Sequence, residues 1–330
     1  RINMIFDEVW VPCHFNLDVF AASGVRPELI RVVPEAIDTD VFDPAKHSRG
    51  TMRAAWKDEF GVGDDEFVFL AHFKWEERKD WYTLVRSFLE EFHADKNVRL
   101  VIKTSSWDKT NPRKDVEAII TQMANVDAEY AIPAKFGGLK DKVVMIIDKH
   151  MASEELPAVY AAADAFVMCS HGEGWGLPMA EAMSMALPTI GTRWSGNTEF
   201  MNDDNSYLIN VARLTPSPLR NYWAQADPLH LRLQMRRVFS DPEGAKVKGS
   251  KAREWMVKHF SLHAVGDAMS LHLFKAATRL EQRTEVRDQH LPKSSEEDEL
   301  LMEYSLWGPP TPPPPEETEE DGKREQGGKI

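Results

Sequence analysis

The sequence predicts an α/β fold: an open parallel sheet with helices on both faces, preceded by a short α/β segment and followed by a disordered tail. Three observations carry this. Short runs that are apolar on both faces alternate with helical patterns, as the strands of a doubly covered parallel sheet do. The 330 residues, 42% hydrophobic and 28% charged, hold enough apolar material for one large core or two smaller ones. Residues 291–330 break the pattern, with eleven acidic and four basic residues and a proline run from Pro312 to Pro315. That stretch cannot bury enough apolar surface to offset its chain entropy and reads as a solvated, disordered spacer. A proline run can also dock in an aromatic-lined groove, but no basic residue sits beside this one to orient it.

In chain order, Glu8–Pro12 and Ile30–Pro34 read as strands around a helix over Asn16–Ser23, and an irregular link runs from Asp38-Thr39-Asp40 to Pro44. β-rich runs follow at Phe67–Phe73, Val98–Thr104, Val143–Ile147, Ala165–Cys169 and Pro188–Thr192. Helical patterns separate them at Trp81–His93, Arg113–Asn125, Glu154–Ala163 and Leu177–Ala186. From Leu229 to near Arg287 the pattern is helical only. Open parallel sheets bind ligands beyond the carboxyl ends of their strands, so the loops after each strand are expected to carry the chemistry.

Composition excludes several classes. A net charge of −13 argues against a nucleic-acid binder, which presents a basic face to phosphates. No run reaches the roughly 18 to 20 apolar residues that span a bilayer, so no integral membrane segment is expected. Cys13 and Cys169 cannot form a disulfide framework or a four-thiolate zinc site, which favours a reducing, cytoplasmic setting. The chain opens Arg1-Ile2-Asn3, without Met or an apolar leader, so no targeting signal can be read from it.

The most informative stretch is Ser170-His171-Gly172-Glu173-Gly174-Trp175-Gly176-Leu177-Pro178-Met179-Ala180-Glu181-Ala182-Met183. A β-run ends at Cys169, alternating glycines follow, and a helix starts at Leu177 with Pro178 near its first position, where a missing N–H costs least. Glycines admit a ligand close to the backbone, and a helix N-terminus offers unpaired N–H groups to an anion such as a diphosphate. This is not the dinucleotide fingerprint, because Met179 holds its third glycine position. A glycine-rich turn alone fits a structural role equally well. Two carboxylates, Glu173 and Glu181, sharpen the reading, since carboxylates accept hydrogen bonds from vicinal hydroxyls of sugars and ribose. The competing view makes both solvated surface residues. Glu181, however, lies among Met179, Ala180, Ala182 and Met183, where an unpaired charge is costly.

The segment resembles the glutamate-seven-residues-glutamate motif of retaining glycosyltransferases of the GT-B fold, in particular glycosyltransferase family 4. Val32–Pro44 resembles that family's interdomain linker, and Phe73-Lys74-Trp75-Glu76-Glu77-Arg78-Lys79-Asp80 its first donor-domain loop. Thr192–Phe200 and Asn205–Ile209 are similar to the loop and strand after the motif helix, so the resemblance covers about Ile2 to Leu280. It implies a Rossmann-like donor domain over 45–262, preceded over 1–44 by the end of an acceptor-binding domain lying mostly before Arg1. It implies a C-terminal helix over 263–290 packing back toward that domain.

The resemblance also implies roles. Glu181 would hold the nucleotide ribose and Glu173 the donor sugar, with backbone amides at Gly174, Trp175, Gly176 and Leu177 around the sugar and diphosphate. The family's Arg and Lys that neutralise the leaving diphosphate correspond to Lys74 and Lys79. Lys74 is a departure, an ammonium where bidentate recognition is usual, and the adjacent Arg78 can compensate. Alone, this charged run reads as a solvated turn; in register with the motif it reads as a phosphate contact. Trp175 could stack on the donor, whereas Trp194, Trp223 and Trp255 read as core.

The expected activity is transfer of a sugar from a nucleotide sugar to a glycan, lipid or protein hydroxyl, without a cofactor or metal. A nucleotide-sugar-binding module and a sugar-nucleotide epimerase are the alternatives. Asp38-Thr39-Asp40 superficially resembles a metal-binding triplet but lies in the linker; His259 and His263 read as helix surface, and Cys13 is assigned no role.

Overall fold

The computed structural model describes residues 2–95, 97–105, 110–126, 144–218 and 222–286. Ile2–Ile5 (α1) leads into Val9–Val11 (β1), His14–Ala22 (α2) and Ile30–Val32 (β2), with the two strands paired in parallel. After Arg49–Phe60 (α3), strands and helices alternate: Phe67–Lys74 (β3), Trp81–Phe92 (α4), Val98–Ser105 (β4), Pro112–Val126 (α5) and Val144–Asp148 (β5). Leu156–Ala161 (α6), Ala165–Met168 (β6), Leu177–Ser184 (α7), Thr189–Thr192 (β7) and Tyr207–Ile209 (β8) complete that alternation. An antiparallel hairpin of Val211–Pro216 (β9) and Tyr222–Ala226 (β10) precedes Pro228–Ser240 (α8), Pro242–Phe260 (α9) and Leu262–Val286 (α10).

The six strands from β3 to β8 form one parallel sheet in the order β5-β4-β3-β6-β7-β8. The direction of travel therefore reverses at β3. The chain moves outward through β4 and β5, then returns to lay β6 on the other edge of β3. Such a reversal leaves a crevice between the loops leaving the two central strands. Burial explains why β3 is central: Val68, Phe69, Leu70 and Ala71 are all fully buried. On α4, Leu84, Val85, Phe88, Leu89 and Phe92 recur at helical spacing as the buried stripe, and Phe88 and Phe92 pack on Phe69.

The predicted strands and helices of this sheet are all present, with ends shifted by a few residues. The sequence reading missed α3, a mostly polar helix anchored by buried Arg53, whose guanidinium donates to the Ala162 carbonyl at 2.7 Å and to Asp164 at 2.6 Å. It also missed the β9–β10 hairpin, whose first strand has no fully buried residue and so lacks an apolar alternation. The helical stretch after Leu229 is three helices, restarted by Asp227 and Asp241, whose carboxylates cap the first N–H groups of α8 and α9. Val143, the helix end near Arg287 and the tail over 291–330 lie outside the described residues.

The linker is held by the last helices. Ile37 donates its N–H to the Phe260 carbonyl at 2.8 Å. Arg253 donates to the carbonyls of Phe42 at 2.8 Å and Ser184 at 2.5 Å and pairs with Asp43 at 3.1 Å. Within Asp38-Thr39-Asp40 the Asp38 carboxylate accepts the N–H groups of Asp40 and Val41, which makes the triplet a turn. Farther along, α10 reaches β1: His272 lies 6.1 Å from the Trp10 ring and Arg279 bonds Glu8.

Gly249 on α9 sits against the backbone that leaves α7, and a Cβ there would collide with the Ala186 carbonyl. Gly249→Ala should therefore cost about 1–3 kcal/mol by overpacking, read as a lower midpoint in urea unfolding with an unchanged m-value.

Candidate functional site

Three loops meet at Glu173. The loop after β6 carries it, and its N–H donates to the Ser195 hydroxyl at 2.7 Å in the loop after β7. The loop after β3 supplies the cations. Lys79 Nζ lies 2.7 Å from Glu173 Oε1, with both side chains only 8% exposed, and Arg78 lies 3.1 Å from Oε2. Arg78 also donates to the Gly172 carbonyl at 2.6 Å, while its own carbonyl accepts the His171 N–H at 2.9 Å. Burial acts to depress Arg78, but Glu173 and Glu76 together hold its pKa above the usual value.

The glycines have distinct duties. Gly176, with φ of 110°, occupies the left-handed region at the N-cap of α7, where a side chain would be strained and would crowd Asn197. No side chain caps α7. Gly196 packs on the Gly174–Trp175 backbone, where a Cβ would come within 2.8 Å of the Trp175 nitrogen. Ser195 just before it holds φ at 70°, an uncommon backbone for a residue with a side chain.

Glu181 sits on α7 with a half-buried side chain. Its Oε2 accepts the Tyr160 hydroxyl at 2.5 Å, and His72 Nδ1 is 3.7 Å away. His72 belongs to β3, so β3 and the loop that leaves it touch both carboxylates.

The structure corrects two expectations. Trp175 does not face a ligand: its side chain is 3% exposed and packs on Phe200 and Phe260, leaving only its backbone beside the glycine loop. Trp194, Trp223 and Trp255 are half-buried rather than core, with Trp223 stacked on His171 at 4.9 Å. Lys74 ends β3, exposed, and Leu177 opens α7 at 42% exposure. His263 is exposed, whereas His259 is half-buried against Trp255, and burial lowers its pKa to about 4.

Sequence reasoning also missed a clamp from the N-terminal segment. Cys13, buried and pushed up to about 11 chiefly by desolvation, caps α2 by accepting the Asn16 N–H. Asn16 Nδ2 donates to the Gly174 carbonyl at 3.1 Å, and His14 binds Glu199 through its N–H and Nδ1, each at 2.9 Å. The only signal in the sequence was the placement of Cys13 at a strand end.

The family model for glycosyl transferases group 1 matches residues 64–216. A D-inositol 3-phosphate glycosyltransferase of Xylanimonas cellulosilytica is 27% identical over 58% of this chain and 42% of its own length. A 2-deoxystreptamine glucosyltransferase of Streptomyces kanamyceticus is 25% identical over 76% of this chain and 56% of its own length. The chain thus spans about half the length of the curated relatives it matches. Among solved structures, Anabaena Alr3699/HepE in complex with UDP-glucose superposes with a TM-score of 0.64 at 15% identity, covering 83% of this chain and 65% of that one. The C-terminal domain of a group 1 glycosyl transferase, LpcC of Francisella tularensis, superposes with a TM-score of 0.52 at 18% identity, covering 68% of this chain and 99% of that domain.

Two tests address the site's physics. Lys79→Met leaves buried Glu173 with Arg78 alone, so it should cost somewhat less than the roughly 3–5 kcal/mol typical of an orphaned buried charge, and adding Glu173→Gln should restore part of that in denaturant titrations. The hydrogen bond to Glu199 raises the His14 pKa, so its contribution is full below the ordinary value of about 6.5 and is lost as pH rises through the raised value. The stability gap between the wild type and His14→Gln should accordingly narrow as pH rises above the ordinary histidine value of about 6.5.

Match, relatives and shared frame agree: residues 64–216 are similar to the glycosyl transferases of group 1, and the chain shares the fold of the solved glycosyl transferases it superposes on.

Proposed function

We propose that this chain is the donor-binding half of a retaining glycosyltransferase that moves a sugar from a nucleoside-diphosphate sugar to an acceptor hydroxyl. The observation that carries the reading is the convergence of Lys79 and Arg78 on Glu173 at the sheet's reversal, beside the uncapped start of α7. Breaking the anomeric C–O bond leaves positive charge on the sugar and negative charge on the departing diphosphate. Preorganised cations and helix-end N–H groups stabilise that separation most in a site shielded from water.

The roles follow from chemistry. Lys79 and Arg78, with Lys74 at the end of β3, neutralise the diphosphate as it leaves. Backbone N–H groups from Gly174 to Leu177 line the diphosphate and sugar, and Trp175 contributes its backbone alone. Glu173 accepts hydroxyls of the transferred sugar and Glu181 those of the ribose. The acceptor hydroxyl forms the new bond on the face the diphosphate vacates, and its proton passes to a departing phosphate oxygen, so the anomeric configuration is kept. Protein cations carry this charge balance without a metal. The Anabaena structure was solved with UDP-glucose, which supports a nucleotide sugar as donor.

A thermal-shift screen across UDP-, GDP- and ADP-sugars tests donor binding. A ligand at 100 times its Kd should add about 2.7 kcal/mol of stability, and Glu181→Ala should abolish that gain. A full shift in the variant would remove Glu181 from the ribose site. Transfer is tested by incubating labelled donor with candidate acceptors and assigning the product's anomeric configuration; donor binding without transfer would favour a binding module.

A further inference from the structure

Glu181 carries one occupied and one open oxygen, and the proton accounting around it is determined. The Tyr160 hydroxyl has a single proton and two acceptors in reach, Glu181 Oε2 at 2.5 Å and the Pro178 carbonyl at 3.4 Å. The short contact to a carboxylate takes that proton. His72 Nδ1, 2.8 Å from the same hydroxyl oxygen, must then be the donor, which places the imidazole's proton on Nδ1. The chain of donors runs from His72 through Tyr160 to Glu181, and no hydrogen bond from the described residues reaches Glu181 Oε1.

The phenol is well fixed. It is fully buried, with Phe42 edge-on at 5.9 Å and Phe166 at 5.9 Å, so its ring cannot swing away from Glu181. Burial, and then the neighbouring carboxylate, keep it protonated and therefore a donor. A carboxylate on a helix has several rotamers of similar energy. One short, directional bond to a fixed ring selects among them.

We propose that Tyr160, supported by His72, is a positioning residue that pins Glu181 by one oxygen and presents the other to a vicinal diol, and thereby sets the preference for ribose over deoxyribose in the bound nucleotide. The inference rests on the ribose role given above to Glu181. A carboxylate free to rotate still attracts hydroxyls but no longer meets two of them in fixed geometry. Loss of the pin therefore lowers discrimination more than it lowers affinity for a nucleotide lacking the 2′-hydroxyl.

The test is a set of Kd values for UDP, GDP, ADP and their 2′-deoxy counterparts, measured by calorimetry on the wild type, Tyr160→Phe, His72→Leu and His72→Gln. For the base that binds best, the wild type should favour the ribonucleotide by about tenfold or more, as expected for a charge-assisted hydrogen bond. Tyr160→Phe should bring that ratio to within about threefold of unity, with the deoxy Kd little changed. His72→Leu should lower the ratio by less, and His72→Gln, which retains an N–H donor, should stay near the wild type. If Tyr160→Phe does not fold, the two His72 variants decide the matter by the same ratio.

A ratio unaltered in Tyr160→Phe, or a parallel loss of both affinities with a lower Tm, would make the tyrosine merely structural and overturn the proposal. A wild type that binds both sugars equally would overturn the ribose role of Glu181 and this proposal with it. Absence of any nucleotide binding by the wild type would instead strike the donor reading itself.

Discussion

A carboxylate with less than a tenth of its side chain exposed is tolerable only beside compensating charge, and Glu173 meets that condition by drawing Lys79 and Arg78 onto itself. The consequence reaches past one ion pair. Because the cations sit in the loop after β3 and the carboxylate in the loop after β6, the pairing ties together the two chain segments that diverge at the reversal of the sheet. His171 and Gly172 strengthen the tie through backbone bonds to Arg78. The glycine loop is thus braced from β3 on one side and from Ser195 and Gly196 on the other.

The two acidic residues of the motif live in different electrostatic settings. Glu173 is held by full charges, whereas Glu181 is held by a neutral phenol with a histidine behind it. A group paired with two cations is well placed where charge separates during a reaction. One held by a neutral, directional donor is suited to geometric recognition, since nearby Coulombic attraction would favour anions regardless of shape. The same spacing in sequence therefore yields two distinct kinds of contact, set by which elements pack against each carboxylate.

Much of this was legible because it is local. The alternation of apolar runs and helical stripes reports burial on both faces of a sheet, and the turn from Cys169 to Leu177 announces itself through its glycines and Pro178. Glu173, Glu181, Lys79 and Arg78 were readable because motif and loop each lie within a short stretch. Tyr160, His72, His14 and Glu199 were not, since their significance comes from pairing across elements far apart in the chain. His72 did leave a trace, as a polar residue inside an otherwise apolar β3 run. Trp175 misled because an aromatic side chain between glycines looks exposed until Phe200 and Phe260, from later segments, close over it.

The cation cluster also bears on how an anionic ligand would be received. Lys79 and Arg78 face two carboxylates, Glu173 and Glu76, so the cluster carries no net charge and the field that would draw in a diphosphate is already balanced within the protein. That balance lowers attraction at long range, yet it holds Lys79 and Arg78 in fixed positions, so less ordering entropy is lost when a ligand arrives. For charge that develops only as a bond breaks, fixed position counts for more than raw attraction, because attraction felt equally by bound ligand and transition state does not speed the chemical step. Under the proposed function, a buried counterion beside the cations suits a site organised for bond cleavage more than for tight capture of the anion.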